Sequence, residues 1–329
     1  MSHPTLKVAQ FTTELQKPIS FQGLSLNMDS LTPHSKQLRA AIDDVVQRGQ
    51  QDSLGDTLSN ALNAITYRYI STGDPVTQFE IELNDLWYVL IQAGKNINTR
   101  SPRQDTIIRH LLATRALEPL QRSELAQSSD SDLRGITTFS DGRTLWSGLP
   151  LLSLSLVDEF TKHYYRDSYN SIQRENMAGF LGRLLSVGVY DGPALCALSL
   201  FREALETPRP LVTHSDSKEL ALGALISALA QMSQTWEYGL AILSSNQQSV
   251  TTAALTYHGD FPHLSEPGEL ARLAGITAAD SQSGFSPQRW AFWIQRLETL
   301  SKCERESIQG DAEACLHAMK ESAKNTQLL

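Results

Sequence analysis

Apolar side chains recur three and four positions apart along most of this chain. That period limits what it can fold into: helices that each bury one face. In Asp52–Tyr69, the residues Leu54, Leu58, Leu62, Ile65 and Tyr69 fall on one stripe, behind Asp52 and Ser53 as caps. Gly73-Asp74-Pro75 ends that helix, and the next runs from Val76 to Ile97 with Phe79, Leu83, Leu86, Trp87 and Leu90 inward. Ser101-Pro102 and Ser286-Pro287 each place a serine cap before a proline at the first helical position, where the missing N–H is no loss. Further helices are predicted over Leu151–Arg166, Tyr169–Val187, Pro193–Glu206, Lys218–Leu243, Glu269–Leu273, Gln288–Leu300 and Glu304–Lys324. Strand-like alternation is confined to Ile19–Leu26, with one more candidate extended stretch inside Gln247–His258. The expected fold class is all-α.

No repeat of fixed period occurs, so a solenoid is not expected. Residues 1–329 are expected to form a single multi-helix bundle with a polar surface loop around 118–150, most polar at Gln127–Asp132. The 28 Lys and Arg residues are outnumbered by 36 Asp and Glu, for a net charge of −8, and no dense basic run offers a nucleic-acid surface. Cys196, Cys303 and Cys315 match no metal-ligand spacing and no disulfide framework. The start of the chain has no apolar run behind a basic end, and Leu220–Ala230 is about half the length of a membrane span. The expected location is the cytosol.

No Gly-x-Ser-x-Gly and no recognisable cysteine nucleophile motif occurs, and the His-x-x-x-His spacing of zinc sites is absent. His258 and His263 are the closest histidine pair, in a Gly/Pro loop. Gly179 and Gly182 lie inside an apolar helix and read as positions of close helix packing rather than a phosphate loop. Acidic spacing says more. Asp167, Ser171 and Glu175 recur every four residues, and on one continuous helix their oxygens would share a face suited to Mg²⁺. The plainer alternative is a turn and N-cap at Asp167–Ser171. Upstream, Asp43 and Asp44 are candidates to hold metal from a facing helix, or simply to form a solvated face. Trp290 and Trp293, three apart, would both face a cavity in which ring quadrupoles stabilise a cation, or both pack in the core. Arg103, Arg109 and Arg183 are candidates to grip diphosphate.

The Asp167/Ser171/Glu175 spacing resembles the second metal motif of class I terpene synthases, and Asp43-Asp44-Val45-Val46-Gln47 a degraded form of their first. Tyr257 falls near where those enzymes carry an Arg-Tyr pair, with Thr256 in place of the arginine. Across residues 80–300, the segments Asn84–Ala93, Gln104-Asp105, Leu145–Pro150, Phe180–Leu184, Phe201–Glu206 and Gly284–Ser286 before Arg289-Trp290 follow in order. Together they resemble a fungal family of helical proteins typified by oxopyrrolidine biosynthesis cluster protein G. That family is in turn similar to an atypical α-humulene synthase. The resemblance implies a lyase of fungal secondary metabolism that cyclises farnesyl diphosphate with Mg²⁺ held by Asp167, Ser171, Glu175, Asp43 and Asp44, and with Trp290 and Trp293 as cavity walls. Two rivals remain: a non-catalytic helical scaffold, and a metal-independent biosynthetic enzyme with an apolar pocket.

Overall fold

Both cap-plus-proline pairs open a helix. Ser101 accepts a hydrogen bond from the Arg103 amide and Ser286 one from the Arg289 amide, each satisfying a first-turn N–H that the helix itself leaves unpaired. A third pair, Thr32-Pro33, opens a helix in the same way, with Thr32 accepting from the Ser35 amide.

The computed structural model describes residues 31–117, 119–123, 135–211, 220–236, 238–247, 264, 266–277, 279–281 and 284–326. Ile19–Leu26, Gln127–Asp132 and Val250–Ala253 lie outside them. The described residues form twelve α-helices. The first four are α1 (Pro33–Gln47), α2 (Leu54–Ser71), α3 (Val76–Asn96) and α4 (Pro102–Arg115). Next come α5 (Leu152–Glu159), α6 (Ser171–Ser186), α7 (Pro193–Phe201) and α8 (Leu222–Ser233). The last are α9 (Gly239–Ser245), α10 (Glu269–Leu273), α11 (Pro287–Leu300) and α12 (Glu306–Thr326). Among these residues the β pairing is a single isolated bridge between Thr138 and Thr144, so the all-α expectation holds. Helix α6 is central: α3 packs on one side of it and α8 on another. Helices α1 and α2 flank α3, while α12 covers α8 and α11 covers α12. Among the described residues no helix is long and apolar enough to cross a membrane.

Four expectations need correction. The helix expected over Leu151–Arg166 is α-helical only to Glu159 and then widens into a π turn, Phe160–Tyr164. A second π turn, Arg202–Glu206, ends the Pro193–Glu206 helix. Lys218–Leu243 is not one helix but α8 and α9, because Thr235 turns the chain: its hydroxyl bonds the carbonyls of Met232 (3.0 Å) and, across the helix pair, Gly179 (2.9 Å). Finally, the described part of the 118–150 segment is not a polar surface loop. Phe139, Leu145, Trp146 and Leu149 are buried, and the Trp146 indole donates to the Thr66 hydroxyl at 2.8 Å. Trp146, Leu149 and Leu151 all adopt positive φ (60°, 47° and 65°), a conformation that strains residues other than glycine. Asp141 holds the turn by accepting the Leu151 amide at 2.6 Å, and burial pushes its carboxyl above the usual carboxylate range.

Candidate functional site

Helix α6 starts too late to carry the acidic face. Asn170 is its N-cap, in a capping box where Asn170 accepts the Gln173 amide and the Gln173 side chain accepts the Asn170 amide. Asp167 therefore lies in the exposed turn before the helix, and exposed Ser171 is the first helical residue. Glu175 points elsewhere, accepting the Ser227 hydroxyl from α8 at 3.0 Å. Asp44 is exposed and paired with Arg48 one turn along α1 at 2.8 Å. Its neighbour Asp43 turns inward and accepts the Tyr88 hydroxyl, since adjacent helical residues project in different directions. Among the described residues no three His, Cys, Asp or Glu side chains converge in a group able to hold a metal ion. The five residues expected to bind Mg²⁺ thus do not form one ligand set.

Trp290 and Trp293 are fully buried on α11 with ring centroids 6.2 Å apart. Phe201 lies 4.5 Å from Trp293, and Trp236 lies 6.3 Å from Trp290. The Trp293 indole donates to Glu206 at 2.7 Å, so the ring is fixed by a buried polar anchor as well as by packing. The three arginines are tied locally. Arg183 donates to the Thr99 carbonyl (2.5 Å) and pairs with Asp105 (2.7 Å). Arg103 donates to the Asp52 carbonyl (3.0 Å), and Arg109 to the Thr106 hydroxyl (3.0 Å). Thr256, Tyr257, His258 and His263 lie outside the described residues.

Among the described residues, an opening of small-molecule size lies elsewhere, between α1, α2 and α3. It encloses about 550 Å³, within the range of small-molecule sites. Leu38, Ala61, Ala64, Ile65, Ile81 and Val89 supply its apolar lining. Its rim is polar. Arg68 bonds Asp74 at 2.6 Å and also Glu82; these bonds raise the Arg68 guanidinium and hold the Asp74 carboxyl below the usual range. At the other end Arg39 bonds Asp85 at 3.0 Å and covers the Tyr88 ring at 4.8 Å.

Beyond that end the polar contacts continue along α3. Tyr88 donates to Asp43, and burial followed by that acceptor pushes the phenol far above its ordinary range. Two turns further on, the Lys95 ammonium sits 3.9 Å from the centre of the Tyr169 ring, and Tyr169 donates to Glu159 at 2.7 Å. Burial lowers the Lys95 ammonium, against the opposing charges of Glu159 and Asp43. Neither the groove nor this cluster is foreseen by the motifs. Thr32-Pro33, the same cap-plus-proline pair as at residues 101 and 286, marks the start of α1 but not the groove it helps to form.

The family model described as "Protein of unknown function (DUF3632)" matches residues 87–297, from the middle of α3 to near the end of α11. The chain belongs to that family. It is also similar to Oxopyrrolidines biosynthesis cluster protein G of Penicillium oxalicum, with 28% identity over 286 residues, covering 83% of this chain and 75% of the relative. No solved structure matches it. Lys95, Glu159, Tyr169, Glu206 and Arg289 all fall inside the family match, whereas α1 and α2 precede it.

Proposed function

We propose that the chain serves a fungal biosynthetic pathway as a metal-independent protein that holds an apolar small molecule in the groove between α1, α2 and α3. The name of its Penicillium oxalicum relative, a biosynthesis cluster protein, supports the pathway. The groove supports the binding role: an apolar wall with a rim of fixed charges is the usual construction of a small-molecule site, where the wall supplies affinity and the rim orients the ligand. Asp167, Ser171, Glu175, Asp43 and Asp44 stand apart, so they lend no support to the metal set that the resemblance implies for cyclisation.

Farnesol and dodecanol, which carry no reactive carbonyl, are suitable probes. A ligand that binds only the folded state stabilises it by about 2.7 kcal/mol when its free concentration is about 100 times Kd. Thermal unfolding is therefore expected to shift upward with one of these alcohols. Ala64 is an exposed groove residue, so Ala64→Trp should fill the space, abolish that shift and leave the unliganded melting temperature nearly unchanged. A shift of equal size in A64W places binding outside the groove and sinks the proposal. The rival cyclase is tested on the same preparation with farnesyl diphosphate and Mg²⁺. A sesquiterpene hydrocarbon in the headspace would establish cyclisation, and activity undiminished in Asp167→Ala and Glu175→Ala would put its site elsewhere.

A further inference from the structure

We propose that the groove between α1, α2 and α3 takes its ligand as a protonated amine on an apolar skeleton, received by Glu82 and Asp85. This selectivity rests on the binding role proposed above and adds the charge of the head group to it. Both carboxylates line the opening, together with Gln78 one turn before Glu82. Glu82 and Asp85 stand three residues apart on α3, a spacing that brings Cβ atoms to about 5–6 Å on one helix face.

Each carboxylate uses one oxygen within the fold and leaves the other open. Glu82 Oε1 accepts Arg68 Nη1 and, at 3.4 Å, the Gln78 amide, while Asp85 Oδ1 accepts Arg39 Nε at 3.0 Å. Among the described residues no hydrogen bond reaches Glu82 Oε2 or Asp85 Oδ2. Asp85 is only 5% exposed and lines the opening, so a ligand's donor would meet its carboxylate out of bulk water. An alkylammonium carries three N–H donors and no acceptor, which suits two neighbouring carboxylates.

An anionic head would meet no uncommitted arginine or lysine among the described lining residues. Arg68 is the one such residue there. Its Nη2 bonds Asp74 at 2.6 Å, its Nη1 bonds Glu82, and its guanidinium lies 5.4 Å from the centre of the Phe79 ring. At the other end Arg39 pairs with Asp85 and covers Tyr88. Arg39, Arg68, Asp74, Glu82 and Asp85 together carry two positive charges against three negative, so the surplus at the groove is acidic. To hold a carboxylate, Arg68 would have to give up a charge-assisted bond, roughly twice as strong as a neutral one. A neutral alcohol incurs no such loss but leaves the surplus charge unanswered, and so ranks between the two.

Dodecylamine, dodecanol and dodecanoate share one chain and differ in the head, so their affinities isolate its charge. Isothermal titration calorimetry on the full chain, at low salt and below the aggregation of these amphiphiles, measures all three. At pH 8 an alkylamine is protonated and an imidazole in water is neutral. Dodecylamine is expected to bind about tenfold or more tightly than dodecanoate, equivalent to roughly 1.4 kcal/mol, with dodecanol between them. In Glu82→Gln the amine's advantage should fall by about threefold, the scale of a partly exposed ion pair. The net charge of −8 attracts amines to the whole surface, so Ala64→Trp is the control: filling the groove should remove the advantage. Dodecanol binding with an amine no tighter than dodecanoate overturns this proposal and leaves the groove's binding role standing. An amine advantage that persists in A64W, or is unchanged in E82Q, overturns it as well. Failure of all three ligands overturns the binding role together with it. The comparison of heads uses wild-type protein, so it does not depend on any variant folding.

Discussion

Glu206→Gln is expected to destabilise the fold by about 3–5 kcal/mol, the usual effect of breaking a buried ion pair from one side. That is a large part of the roughly 5–15 kcal/mol by which a domain is stable. Glu206 is the last residue of the second π turn and is fully buried, as is Arg289 of α11. Every oxygen lone-pair direction is used. Oε1 accepts Arg289 Nε at 2.8 Å and the Trp293 indole at 2.7 Å, while Oε2 accepts Arg289 Nη2 at 3.0 Å and the Gly268 amide at 2.7 Å. Arg289 spends its Nη1 on the carbonyls of Leu264 (3.0 Å) and Gly284 (2.6 Å). Glutamine keeps the shape but replaces one acceptor with an NH₂ that faces N–H donors, and it leaves the guanidinium as an uncompensated charge away from water. Arg289→Met should cost a similar amount from the other side. The double variant Glu206→Leu/Arg289→Met removes both charges and should be more stable than either single variant. It should not return to wild type, because the Trp293 and Gly268 N–H groups lose their acceptor at about 1–3 kcal/mol each. Urea unfolding followed by tryptophan fluorescence measures all three. A loss below about 1 kcal/mol in both single variants would mean that the pair is not the lock it is taken to be.

That lock marks where a sequence stops being readable. Helix existence is legible because the burial period repeats many times, and the Ser101 and Ser286 caps act within three residues of themselves. The close-packing reading of Gly179 and Gly182 and the core-packing alternative for Trp290 and Trp293 are likewise local inferences, and they agree with the structure. Glu206 and Arg289 are 83 residues apart, and nothing near either announces the other. The π turns escape for a different reason: one inserted residue at a helix end shifts the stripe too briefly to disturb the period. The Asp167/Ser171/Glu175 spacing shows how a pattern misleads when a second pattern overlaps it. Asn170-Ser171-Ile172-Gln173 is a capping box in the same stretch, and it begins the helix after Asp167. The plainer alternative, a turn and N-cap at Asp167–Ser171, agrees with the structure. The groove is harder still, since it lies across three helices whose meeting no single segment encodes.

Two glycine-to-alanine changes should move stability in opposite directions and so separate packing from propensity. Alanine is favoured over glycine inside a helix by about 1 kcal/mol, because glycine loses more backbone freedom on folding. At Gly310, within α12 and exposed, a Cβ meets nothing within 4 Å, so Gly310→Ala should realise that gain in full. Gly182 has the same chemistry in a different place. A Cβ there would lie 2.6 Å from the Met232 carbonyl oxygen and in collision with the Thr235 hydroxyl. Neither obstacle is a flexible side-chain end: one is backbone at the close of α8, and the other bonds the carbonyls of Gly179 and Met232. The two helices must therefore separate, or Thr235 must give up the bond that turns the chain between α8 and α9. Overpacking of this kind costs about 1–3 kcal/mol and sometimes more, which exceeds the propensity gain. Because α6 is packed against both α3 and α8, the displacement has little slack to absorb it. Gly182→Ala is thus expected to be destabilised by about 2 kcal/mol or more relative to wild type, with Gly310→Ala stabilised, in the same thermal or urea titration. Equal shifts in the two variants would show that the α6–α8 contact tolerates a methyl group and that glycine at 182 is not what brings the helices together.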